Sequence, residues 1–336
     1  MMEACVPRRP VVSSLPMWSQ LNRSDIPADD PAYSDARRRL LGRLGDYAAL
    51  IIAPLNLRPI AAVLLAEDAE RIEVRVSTPG SHIVLVIAPD DDMAAEAFFL
   101  RALADKHLPL PRLIAHDLAC TLVPFTYMIE GYVGGIPLDR LEDGPLVRIA
   151  ARQVGRTLRR MHQVAAPGCG RPATSGRWPL HGWDAVLGAW LARRETLVRA
   201  HEVLGGELLA ALRAATLDHP ALACEHPRVI HGAVEPARAL VAIGESAQLE
   251  ALVRPGEIVG GDPLFDLAHG TLPRHPAAFR QGLLEGYNAA GPLAPEQEDR
   301  LRRLGLLLHV ADTLWRGDAE AIARLPGAVA DVLRKL

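Results

Sequence analysis

Apolar positions between residues 60 and 87 follow a strand pattern. Ile60 to Leu65 is apolar, Arg71 to Val76 alternates polar with apolar, and His82 to Ile87 is almost continuously apolar. Pro79-Gly80 between the last two runs is a turn signal, so the pattern predicts an antiparallel hairpin. Residues 34–50 and 93–104 have helical spacing, with Ser34 placed to cap the first. A strand is expected within 122–133, before Gly134-Gly135. Beyond it the period changes. Residues 146–164 predict a long helix, 183–215 predict helices with one Gly-Gly break, and the chain from Asp266 onward is helical in period. Short strands are expected at 229–230 and 240–243, on either side of His231-Gly232. This order predicts an α+β chain: a loose leader over 1–33, a β-rich lobe over 34–130, a crossover near 128–135, and a larger helical lobe over 131–336. Ligands commonly bind at junctions of this kind.

Composition narrows the function without naming it. The chain has 336 residues, 49% of them hydrophobic and 23% charged, which suits two packed lobes. A net charge of -3 offers nucleic acid no basic face. Cys5, Cys120, Cys169 and Cys224 form no CxxC and no Cys/His metal spacing, so reduced thiols are expected. Arg8 and Arg9 are not followed by an apolar run, and no stretch approaches the roughly 20 residues that cross a bilayer. The expectation is a cytoplasmic protein with no membrane partner.

The segment from Val229 to Gly270 carries a specific pattern. His231-Gly232 is followed, at fixed distance, by Gly261-Asp262-Pro263 and Phe265-Asp266-Leu267-Ala268. This resembles the catalytic segment of the aminoglycoside phosphotransferases and the related choline, homoserine and fructosamine kinases. The resemblance extends over roughly residues 50–315. It implies a two-lobed protein-kinase-like fold, with a small N-terminal antiparallel sheet carrying one helix and a larger helical C-terminal lobe. It makes Glu96 the helix glutamate that pairs with the strand lysine. It makes Tyr127 to Val133 the hinge, with Glu130 and Tyr132 beside a bound ligand. It also makes the 183–215 helices the insertion that shapes the acceptor site. His231, Gly232, Asp262 and Asp266 are then framework residues that hold the loop.

The resemblance also shows where this sequence departs. Phosphoryl transfer uses a carboxylate near the acceptor hydroxyl, Asp and Asn ligands for magnesium, a lysine on the phosphates and a flexible loop above them. The catalytic Asp position holds Ala233, the metal-binding Asn position Arg238, the metal Asp position Arg254 and the strand lysine position Val86. No glycine lies in 57–79, where the covering loop belongs. Magnesium requires oxygen ligands, and a guanidinium supplies none. The expectation is therefore a degenerate phosphotransferase-like protein, or pseudokinase, without magnesium-ATP as cofactor and without any metal. Its partner would be a small molecule or anionic ligand, or another protein. Arg238 and Arg254 would meet where the metals belong, paired with Glu96 or Glu257 or holding an anion. The rival expectation is a divergent phosphotransferase or repurposed group-transfer enzyme with Glu235 as its base.

Overall fold

A computed structural model describes residues 16–23, 26, 33–68 and 71–336. Most of the leader expected over 1–33 lies outside that range. Its described part is anchored. A helical turn, α1 (Pro16–Ser19), carries Trp18 into the first core with Leu21, and Asn22 Oδ1 accepts from the Gly45 N–H at 2.7 Å. The contacts divide the chain into two compact units, Met1–Met93 with Leu113–Tyr132, and Ala94–Arg112 with Val133–Leu336.

In the first unit, α2 (Asp35–Gly42) and α3 (Leu44–Ile52) replace the single helix expected over 34–50. Ser34 does cap α2, accepting from the Arg37 N–H. The chain turns at Arg43, whose non-helical backbone separates the two helices. Strands β1 (Ala61–Glu67), β2 (Ile72–Thr78), β3 (Ser81–Ala88), β4 (Leu113–Asp117) and β5 (Thr126–Gly131) form one antiparallel sheet in the order β1-β2-β3-β5-β4. Alternation explains its core. Ile72, Val74 and Val76 from β2, with Ile83, Leu85 and Ile87 from β3, turn inward onto Leu40, Leu44 and Ile52. Strand β4 was absent from the sequence expectation. It is short, and Pro109 and Pro111 stand just before it.

The second unit begins with α4 (Ala94–Leu103), which carries Glu96 and groups by its contacts with this unit. The reason is visible in its rings. Phe99 meets the His231 ring edge-on at 5.7 Å, and Phe98 meets Trp178 at 5.1 Å. Then follow β6 (Ile136–Pro137), α5 (Pro145–Met161), α6 (Trp183–Arg193) and α7 (Thr196–Ala215), the last kinked at Gly205 where the Gly-Gly break was expected. Strands β7 (Arg228–Val229), β8 (Ala239–Ile243), β9 (Ala247–Leu252) and β10 (Gly260–Gly261) build two small sheets, β10-β7 and β6-β8-β9. Helices α8 (Leu264–Gly270), α9 (Ala277–Asn288), α10 (Pro295–Arg316) and α11 (Ala319–Leu333) complete the unit. Helix α5 packs along α9, where Gly155, Gly282 and Gly286 let the backbones approach. Among the described residues no helix is long and apolar enough to cross a membrane.

Candidate functional site

The loop after β7 and the turn after β10 are held together by one carboxylate. Asp266, on α8, is fully buried. Its Oδ2 accepts from the His231 N–H at 2.7 Å and its Oδ1 from the Gly232 N–H at 2.7 Å. His162 Nε2 lies 3.0 Å from Oδ2, and since an ionised carboxylate only accepts, Nε2 carries a proton there. Burial alone would raise the Asp266 pKa, but the bonds and charge of His162, then His231, hold it below the usual carboxylate range. Gly232 has φ +74°, and a Cβ there would come within 2.0 Å of the Ile258 carbonyl oxygen, so this position admits only glycine.

Asp262 is also buried. It accepts from the Leu264 N–H at 2.9 Å and from Arg300 Nη1 at 3.1 Å, and burial raises its pKa. Both aspartates therefore brace backbone. His231 Nε2 faces the Val253 carbonyl at 3.2 Å, and its backbone carbonyl accepts from Gly256. Burial lowers its pKa to about 4. His275, buried beside Arg274, is lowered to about 3. These histidines fold neutral, so the sign of the pH effect is fixed. Between the unfolded value near ~6.5 and the folded values, the unfolded chain binds more protons and stability falls as pH falls. His231 alone should cost on the order of 3 kcal/mol by pH 4. Melting temperature against pH is expected to be flat above neutrality and to drop steeply below about 6.5. A flat profile down to pH 4 would contradict neutral burial of His231.

The positions where chemistry was sought are now occupied by an ion-pair network. Ala233 is nearly buried and presents a methyl group. Glu235 Oε1 accepts from Arg238 Nε at 2.9 Å, and its Oε2 accepts from Arg274 Nη2 at 3.1 Å. Arg274 continues to Asp312 at 3.1 Å. Burial would raise the Glu235 pKa, yet Arg238 and its other cationic neighbours depress it to about 2. A carboxylate that weak in basicity is poorly matched to accept a proton near neutrality. Arg238 Nη1 also donates to the backbone carbonyl of Arg254, so the two arginine positions do meet. The carboxylate answering Arg238 is Glu235, three residues away, and not Glu96 or Glu257. Glu257 instead pairs with Arg194 at 2.7 Å and with Arg193, both at the end of α6. Arg254 itself lies in the left-handed region, at φ +55°.

The donor set does not fit a magnesium ion. Ala233 has no ligand atom, and the Arg238 guanidinium offers N–H groups already turned to oxygen. Among the described residues no group of three or more His, Cys, Asp or Glu side chains is placed to hold a metal.

The remaining candidate positions lie in other parts of the chain. Glu96 is buried within α4. In the first unit Val86 is buried in β3, opposite Met128 and Glu73. Glu130 is buried in β5, opposite Val84 and Leu113, and the Tyr132 N–H donates to the His82 carbonyl. The Arg75 guanidinium sits 5.4 Å from the Tyr132 ring centre.

Comparison with known proteins agrees with this frame. The model of the phosphotransferase enzyme family matches residues 62–304. A thermostable mutant of aminoglycoside phosphotransferase APH(4)-Ia superposes with a TM-score of 0.59 at 18% identity, covering 85% of this chain and 98% of that one. Macrolide 2'-phosphotransferase MphH from Brachybacterium faecium gives 0.55 at 20% identity, over 86% and 97%. A putative fructosamine-3-kinase from Haemophilus somnus gives 0.55 at 14% identity, over 84% and 95%. At these identities the likeness is one of fold. No curated protein sequence matches the chain.

Proposed function

Because this chain belongs to the phosphotransferase enzyme family, we propose that it keeps the family's framework while binding a ligand without magnesium-dependent phosphoryl transfer. The observation that carries this reading is the clamp on Arg238. Where the family resemblance implies a metal-binding amide, a guanidinium is fixed between the Glu235 carboxylate and the Arg254 carbonyl. Ala233 leaves the implied base position without a proton acceptor, and the Glu235 carboxylate is held at a pKa of about 2 by its cations. The ligand would be a small molecule or a partner protein.

A second reading has its own support. The brace of Asp266, His162, His231 and Gly232 is complete, and the family model spans most of the chain. Both suit a divergent phosphotransferase, or a group-transfer enzyme reusing the same site. Thermal unfolding with ATP, with and without magnesium, separates the two, together with assay of phosphate transfer to small alcohols and amines. No magnesium-dependent rise in Tm and no transfer are expected. A rise that requires both ATP and magnesium, or any transfer, would favour the second reading.

A further inference from the structure

The apolar core that α10 shares with α11 stops short of the end of α11. Leu306, Val310 and Leu314 from α10 cluster with Leu325 and Val329 from α11. Past Val329, Val332 and Leu336 are only partly buried, and a cavity of about 360 Å³ opens between α10, the end of α11 and the turn after α8. Small side chains make this room. Ala268 and Thr271 line the cavity from the end of α8, and Gly305 lines it from α10. The Thr271 hydroxyl is turned back to the Leu267 carbonyl at 2.7 Å. A Cβ added to Gly305 would meet nothing within 4 Å, although the residue lies in the middle of a 22-residue helix. Glycine weakens a helix interior, and here it leaves space on the face it shares with Arg302, Leu306 and His309.

The wall changes character from the inside outward. Ala268, Leu272 and Leu306 are buried, Gly305 and His309 are partly exposed, and Arg302 and Lys335 are exposed. The charged side chains among the lining residues are these two cations, so the mouth is positive and the floor apolar. Arg302 has charge to spare. Asp299 lies 3.9 Å from it but 2.7 Å from Arg303, which holds that carboxylate. Burial keeps the His309 imidazole below its usual pKa, so near neutrality it offers a hydrogen bond and no charge. The cavity is at the small end of ligand pockets, which run from roughly 300 to 1,000 Å³. No residue that lines it takes part in the Glu235 network.

We propose that this cavity is a separate binding site for a small amphipathic carboxylate of the medium-chain fatty-acid class. The alkyl chain lies against Ala268, Leu272 and Leu306, where burial of each methylene adds affinity. The carboxylate stays at the mouth, where Arg302 can grip it with two N–H groups and Lys335 adds a second positive charge. A sugar or other polyol suits the site poorly, because its hydroxyls would be buried against side chains that return no hydrogen bond.

The test is titration calorimetry on the full chain with decanoate below its micelle concentration, alongside octanoate and octanol. One decanoate per chain is expected. Octanoate, two methylenes shorter, should bind roughly tenfold more weakly. Octanol, which lacks the charge, should bind more weakly than octanoate. Gly305→Leu places a better helix former in the open space, so Tm should not fall while binding is lost. Arg302→Glu/Lys335→Glu changes two exposed positions, and should fold as the parent does but lose the preference for octanoate over octanol. The proposal is overturned if decanoate shows no saturable one-to-one binding. It is equally overturned if octanol binds as tightly as octanoate, if Gly305→Leu binds decanoate as the parent does, or if the double glutamate variant keeps the parent's preference.

Discussion

Asp266→Ala is expected to cost on the order of 3–5 kcal/mol of unfolding free energy, the range for breaking a buried, charge-assisted network by removing one partner. The carboxylate answers three donors at once, the N–H groups of His231 and Gly232 and the Nε2–H of His162. Alanine leaves all three without the oxygens they now meet. Each orphaned buried donor costs about 1–3 kcal/mol. The Gly232 donor cannot easily turn elsewhere, because its left-handed backbone lies against Ile258 and Gly256. Total stability of a protein is commonly about 5–15 kcal/mol, so the variant should unfold at far lower urea than the parent. Unfolding followed by circular dichroism measures this, with Asp35→Ala as a control. Asp35 is exposed at the start of α2, and its loss should leave the midpoint in place. A midpoint for Asp266→Ala close to that of the control would mean that the loop is held by other bonds.

The sequence displayed this brace better than the network beside it. His231, Gly232, Asp262 and Asp266 were legible because they fall in a motif of fixed spacing. The β2-β3 hairpin was legible because Arg71 to Val76 alternates with period 2 and Pro79-Gly80 marks the turn. Strand β9 was not, since Ala247–Leu252 is built from good helix formers and is a strand through its pairing with β8. The division of the 34–50 helix at Arg43 is flanked by Gly42 and Gly45, which weaken a helix, but the helical spacing of the apolar residues runs across them. The ion pairs failed for a different reason. Glu235 reaches Arg238 because a 3-10 turn over Pro236–Arg238 carries the arginine back towards it. Glu257 is taken by two arginines from α6, more than sixty residues away. Periodicity reports on which face a residue occupies, and it carries no information about which charge it will meet.

Arg254→Asp alone is expected to fold and to gain no magnesium-dependent ATP binding, whereas Ala233→Asp/Arg238→Asn/Arg254→Asp is expected to gain it. Residue 254 sits at φ +55°, a region where Asp is tolerated better than most residues, so the backbone accepts the change. The single variant supplies one oxygen ligand but keeps the Arg238 guanidinium on the carbonyl of the same residue. Two unit charges 4 Å apart at an effective dielectric of 20 interact by about 4 kcal/mol, and a divalent ion feels twice that repulsion. The metal is therefore excluded until Arg238 is gone. Arg238→Asn removes that charge and supplies an amide oxygen, while Glu235 keeps Arg274 as its partner. Ala233→Asp then restores a carboxylate to the loop that Asp266 holds. Ligand at about a hundred times its Kd stabilises by ~2.7 kcal/mol, enough to read as a shift in Tm. Phosphate transfer is not expected even then, since the position to which the family resemblance assigns the phosphate-binding lysine holds Val86. Magnesium-dependent ATP binding by Arg254→Asp alone would show that Arg238 does not guard the site, and the clamp would lose its place as the reason for silence.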